Sequence, residues 1–145
     1  MSLIESAKDL DRQYKIFNAI ADKFETGEGK LEGIAVSVKD NVCVKGMESR
    51  AGSKILEGYI PPFDATVVAK SRSEGAFIIG KTSQDEFGFG TFNVNTPYNV
   101  PFNPHDKERS AGGSSGGAAV LTAVADFPHV AIAESTGGSI SCPAS

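Results

Sequence analysis

Residues 75–82, GAFIIGKT, match the phosphate-binding loop pattern G-x-x-x-x-G-K-[ST] letter for letter. Such a loop wraps a phosphate in the N–H groups of a flexible glycine-rich turn, so its interior positions must be loop. Here the interior is Ala76, Phe77, Ile78 and Ile79, an apolar run with β-branched members. That run fits a buried strand, and nucleotide binding is not expected from it. Just before it, residues 64–73 (DATVVAKSRS) read as a short helix, with Asp64 as N-cap and Val67, Val68 and Ser71 at helical spacing. Gly75 reads as the helix stop and Gly80 as the end of the strand.

Further patterned segments flank this run on both sides. Residues 33–38, GIAVSV, read as a second buried strand, and Lys39, Asp40 and Asn41 follow at its end. The carboxyl end of a strand is where an α/β sheet places functional groups. Leu3, Ala7, Leu10, Tyr14, Phe17, Ala21 and Phe24 recur at alternating gaps of four and three, which predicts a helix with one apolar face. This helix would lie against the domain, with a coiled-coil partner contact as the alternative. Residues 129–134, HVAIAE, are a third strand candidate, and residues 93–108, NVNTPYNVPFNPHDKE, read as a long loop. Helix, strand, helix, strand is the order of an α/β layer structure.

At 145 residues the chain has enough length for one core. Its net charge of −4, with scattered basic residues, gives no general attraction for nucleic acid or anionic membranes. Membrane-spanning runs and the pattern of a signal peptide are both lacking, so the expected location is cytoplasmic. Cys43 and Cys142 are isolated thiols without metal-ligand spacing, and no metal site is expected.

Gly-Gly-Ser occurs twice, at 112–114 and at 137–139. Glycines let the backbone turn tightly and expose successive N–H groups, while a serine hydroxyl projects where those groups converge. That is the anatomy of a nucleophile beside an oxyanion hole; a flexible linker has the same composition. The chain holds only two histidines, His105 in the loop and His129 at a strand edge, and either fits a surface imidazole. A buried lysine of lowered pKa can replace histidine as the base, and Lys39 is the candidate.

Three ordered motifs carry a resemblance: GIAVSVKDN at 33–41, GGSSGGAAV at 112–120 and STGGSISCPA at 135–144. Together they resemble the amidase signature family, and residues 64–90 resemble the family's connecting helix and strand. The resemblance runs from residue 33 to 145. It implies an α/β fold, a mixed β-sheet core flanked by helices, present only in part. Residues 1–30 would be an N-terminal amphipathic helix and turn, and residues 31–145 the N-terminal part of a truncated amidase signature domain.

Carried over residue by residue, the resemblance implies Lys39 as general base and Ser139 as the acylated nucleophile. Ser114 would be the bridging serine, relaying the proton from Ser139 to Lys39 and held by a cis peptide bond after Gly113. The N–H groups of Thr136, Gly137, Gly138 and Ser139 would form the oxyanion hole, with Ser115 supporting the glycine-rich turn. The sequence departs from the family where Ser135 replaces a usual Asp, where Ser141 replaces a usual Arg, and in one extra residue between the serine motifs. The extra residue leaves Ser115 as the alternative bridge.

The segment KTSQDEFGFGTFN, residues 81–93, resembles the glutamine-dependent, tRNA-directed amidotransferase branch of the family. That implies glutamine as substrate and ammonia delivered to a B subunit that uses ATP and Mg. A small C subunit would support the assembly, with tRNA contacted mainly through the partner and no cofactor in this chain. The alternatives are a free-standing amidase acting on another carboxylic amide, and a catalytically inactive interaction module presenting the 3–24 helix. Much of the family's substrate pocket lies in later segments, so little activity is expected of these 145 residues alone.

Overall fold

The computed structural model describes residues 2–145. Along the chain run α1 (Leu3–Tyr14), β1 (Phe17–Ile20), β2 (Ala35–Lys39), α2 (Thr66–Ser73) and β3 (Phe77–Thr82). A short hairpin, β4 (Phe102–Asn103) and β5 (Asp106–Ser110), precedes α3 (Gly116–Val124), β6 (His129–Ile132) and the single turn α4 (Ser141–Ala144). Four strands make one mixed sheet in the order β1-β3-β2-β6, with β3, β2 and β6 parallel and β1 antiparallel at the edge.

Both faces of the sheet are covered, which is why its central strands read as continuous apolar runs. Ala35, Phe77 and Ile79 pack with Ala7 of α1 and with Val120 and Leu121 of α3 on one face. Val36, Val38 and Ile78 pack with Val68 of α2 and with Val44 on the other. Side chains alternate along a strand, so Ala35, Ser37 and Lys39 share the face that carries α3.

The GAFIIGKT segment is this buried strand. Gly75 ends α2 with φ of 88°, a left-handed conformation that glycine adopts without penalty. Gly80 lies under β1, where an added Cβ would come within 2.5 Å of the Ala19 carbonyl oxygen. Lys81 points into the protein: its ammonium donates to Ser49 Oγ at 2.6 Å and to the Asp40 carbonyl at 3.2 Å, with the Asp40 carboxylate 3.6 Å away. The strand runs two residues past Gly80, to Thr82.

Three local expectations are corrected. The first helix stops at Tyr14, because Lys15 turns left-handed at φ 60° and the Asp11 carboxylate accepts the Phe17 N–H at 2.8 Å. Residues 17–20 then pair with β3 as a strand, so the helical spacing of Phe17, Ala21 and Phe24 is coincidental. Asp64 does not cap α2; that position is Ala65, and Asp64 instead accepts the Lys45 N–H at 2.7 Å and pairs with Arg72 at 3.2 Å. The loop read over 93–108 contains β4 and the first part of β5. Among the described residues no helix is long and apolar enough to cross a membrane.

Candidate active site

The parallel strands β2, β3 and β6 end together, and their carboxyl ends meet the amino end of α3. Lys39 is the last residue of β2, pairing in register with Thr82 at the end of β3. Its side chain is fully buried. A buried ammonium must find acceptors, and Lys39 Nζ has three: Ser114 Oγ at 2.8 Å, Glu134 Oε1 at 2.7 Å and the Glu134 carbonyl oxygen at 3.3 Å.

Ser114 reaches that position through the glycine-rich turn before α3. The Gly113 N–H donates to the Thr91 carbonyl at 2.8 Å, and the Gly113–Ser114 peptide is cis. Gly113 is packed so closely that an added Cβ would fall 2.3 Å from Asp85 Oδ2. Asp85, just beyond β3, is fully buried and accepts the N–H groups of Asn93 at 2.9 Å and Asn95 at 2.8 Å. Asn93 Oδ1 accepts the Gly116 N–H at 2.8 Å, so the 85–95 loop and the start of α3 are fastened together.

The second glycine-serine segment closes the site. Ser139 Oγ lies 2.8 Å from Ser114 Oγ, and the Ser139 carbonyl accepts the Ser115 N–H at 3.1 Å. Lys39, Ser114 and Ser139 therefore form one unbroken hydrogen-bonded chain from a buried amine to a half-buried hydroxyl. Ser115 takes no bridging position; its hydroxyl faces the Glu134 carbonyl at 3.5 Å. The Ser135 hydroxyl accepts the N–H groups of Gly138 and Ile140, each at 3.3 Å, and so ties the turn from inside. Among the described residues, the N–H groups of Thr136, Gly137 and Ser139 have no acceptor, whereas that of Gly138 is occupied by Ser135. A cleft of about 430 Å³ opens beside Ser139, lined among others by Phe87, Phe89, Thr136 and Cys142.

Two opposed effects act on Lys39. Burial pushes its amine below the ordinary lysine range, and the Glu134 carboxylate pulls it back up. Contact with the Lys39 ammonium in turn holds the Glu134 carboxyl below its ordinary range. The histidines lie elsewhere. His105 is exposed in the β4–β5 turn, and His129 begins β6 with Nε2 2.9 Å from Ser37 Oγ. Both cysteines are free thiols. No group of three or more metal-ligating side chains occurs among the described residues.

Glu134 and Asp85 are not legible as site residues in the sequence. Glu134 ends the apolar run HVAIAE, and only the parallel pairing of β6 with β2 brings it to Lys39. Asp85 offers one signal, its place in a Ser-Gln-Asp-Glu run directly after a buried strand.

The model of the Amidase family matches residues 2–145. The chain belongs to the amidase family. Among its members, the chain is 52% identical over 118 residues to the glutamyl-tRNA(Gln) amidotransferase A subunit of Methanospirillum hungatei, covering 81% of this chain and 27% of that protein. The crystal structure of the protein of the same name from Thermotoga maritima superposes with a TM-score of 0.91 at 38% identity, over 97% of this chain and 31% of that one. A second solved structure, that of 6-aminohexanoate cyclic dimer hydrolase complexed with substrate, gives a TM-score of 0.86 at 25% identity, over 97% and 31% of the two chains. This amidase segment thus spans less than a third of the length of these relatives.

Proposed function

We propose that this chain supplies the nucleophile, proton relay and base of a glutamine-hydrolysing, ammonia-generating subunit of a glutamyl-tRNA(Gln) amidotransferase. The observation that carries this reading is the contact chain Lys39 Nζ, Ser114 Oγ, Ser139 Oγ, each link 2.8 Å, in a segment whose relatives bear that name. Hydroxyls can donate in either direction along such a chain. With Lys39 as an ammonium, the chain donates outward, from lysine to Ser114 to Ser139. With Lys39 neutral it reverses, and Ser139 gives its proton to Ser114 as Ser114 gives one to Lys39.

In the reversed state Ser139 Oγ bonds to the carboxamide carbon, and the carbonyl oxygen becomes an oxyanion. The N–H groups of Thr136, Gly137 and Ser139 are free to receive that charge, and Gly138 joins them if Ser135 releases it. The C–N bond then breaks as the proton returns through Ser114 to the leaving nitrogen, which departs as ammonia. Water adds to the Ser139 ester, gives its proton to the same chain and releases glutamate. No step needs a cofactor in this chain; ATP and Mg belong to the B subunit, a small C subunit supports the assembly, and tRNA is contacted mainly through the partner.

The test is ammonia release from glutamine by a protein of the relatives' full length carrying this segment. Release that rises on adding partner subunits and glutamyl-tRNA supports the proposal. Equal, partner-independent hydrolysis of unrelated amides would instead establish a free-standing amidase, the reading favoured by the likeness to the cyclic dimer hydrolase.

A further inference from the structure

Lys39 is the base in the proposed mechanism, yet its shortest contact is with a carboxylate. Glu134 Oε1 lies 2.7 Å from Nζ, closer than the 2.8 Å to Ser114 Oγ. The same oxygen accepts the Asn41 side-chain N–H at 3.1 Å, which fixes the carboxylate over the lysine. Glu134 itself is not sealed in: its side chain is 42% exposed and borders the cleft beside Ser139. A buried amine is thus joined on one side to the two serines and on the other to a carboxylate in contact with solvent.

We propose that Glu134 is a positioning residue that holds Lys39 in its ammonium form at neutral pH, and so keeps the serine chain donating outward until pH or a ligand in the cleft releases it. The inference rests on Lys39 being the base, and it adds the group that sets when that base becomes available. A carboxylate in contact with an amine favours the charged form, whereas burial favours the neutral one. The remaining surroundings of Lys39 leave Glu134 as the deciding charge. From the segment beyond β3, Asp85 acts at longer range with its carboxylate engaged by Asn93 and Asn95. Asp40, next along the chain, is engaged by Asn18 at 2.9 Å, Gly52 at 3.1 Å and Lys81. The segment 116–124 that forms α3 contains no titratable side chain, and His129 sits at the opposite end of β6 beside Ser37. The backbone carbonyl of Glu134 also accepts from Lys39, so replacing the carboxylate leaves the lysine anchored.

The test is the titration of the Lys39 amine in this 145-residue chain by lysine Cε–Nζ NMR, the signal being assigned by its loss in Lys39→Met. Glu134→Gln keeps an acceptor of the same shape and removes the charge. It is expected to lower the Lys39 midpoint by about one pH unit, the low end for a contacting charge because Glu134 is partly exposed. Glu134→Ala is expected to lower it similarly. An unchanged midpoint in either variant would overturn the proposal. So would a wild-type Lys39 already neutral at pH 7, a result that needs no variant to fold. The readout requires no turnover, so it stands apart from the glutamine assignment. In the full-length enzyme the acid limb of the kcat/KM profile should move to lower pH by the same amount in Glu134→Gln, a shift that a purely structural role would not produce.

Discussion

Lys39 Nζ and Ser114 Oγ meet at 2.8 Å although 75 residues separate them in the chain. The contact exists because β2 delivers a buried lysine to the carboxyl edge of the sheet and the turn before α3 delivers a hydroxyl to the same edge. Removing either end of it should stop proton transfer without emptying the cleft. Lys39→Met and Ser114→Ala in a full-length enzyme are each expected to lower kcat by about 10²–10⁴-fold with little change in KM. The double variant should fall little further, because groups acting as a unit are not additive. Steady-state ammonia release checks this, and multiplied losses would show that the two residues act separately.

Asp85 organises the loop that holds the glycine-rich turn. Its buried carboxylate accepts two backbone N–H groups, at 2.9 and 2.8 Å, and truncation leaves both donors without a partner. Asp85→Ala is expected to cost about 3 kcal/mol in urea unfolding. Hydrogen exchange at Asn93 and Asn95 should accelerate with it. Wild-type protection at those two amides would contradict the role.

Two glycines of the serine segments differ in what surrounds them. At Gly117 an added Cβ would sit 2.5 Å from the Ile16 carbonyl oxygen and 2.7 Å from the Ser83 nitrogen, whereas at Gly137 nothing lies within 4 Å. Gly117→Ala should therefore destabilise by about 1–3 kcal/mol, as overpacking against backbone does. Gly137→Ala should change stability by less than about 0.5 kcal/mol. Paired thermal melts of the two variants decide the point.

The recurring Gly-Gly-Ser marks the 136–139 turn in the sequence as one that can expose N–H groups beside a hydroxyl, although a linker shares that composition; that Ser135 occupies the Gly138 N–H is not legible there. The sheet is legible as well: strands buried on both faces leave continuous apolar runs, and GIAVSV and AFII can be read as strands for that reason. The N-terminal helix is overextended by its sequence because apolar residues continue at helical spacing through Phe24, while the left-handed turn at Lys15 leaves no sequence signal. Glu134 is invisible for a different reason. Its importance lies in the parallel register of β6 on β2, a contact across 95 residues of chain that local pattern cannot supply.

His129 makes acid stability a separate readout of the same packing. Burial lowers its imidazole from 6.5 to about 4. The unfolded chain thus binds a proton between those values that the folded chain refuses. Stability is complete above about pH 6.5 and falls as pH drops toward 4, by about 2–3 kcal/mol allowing for partial exposure. Urea unfolding at pH 7 and pH 4.5 should show this loss, and His129→Gln should remove most of it. Glu48, held at about 2 by Arg50, loses its contribution as pH falls from about 4.5 toward 2, mostly below the pH 4.5 of the more acid measurement. An undiminished pH dependence in the variant would assign the loss to another group.

Acylation of Ser139 by the amide is the step on which the proposed function turns. A full-length enzyme carrying this segment should be mixed with isotopically labelled glutamine, quenched in acid and mapped by peptide mass spectrometry. The expected result is a glutamyl ester on the peptide containing Ser139, and neither label nor ammonia from Ser139→Ala. Label on a different residue, or ammonia released by Ser139→Ala at the wild-type rate, would contradict it.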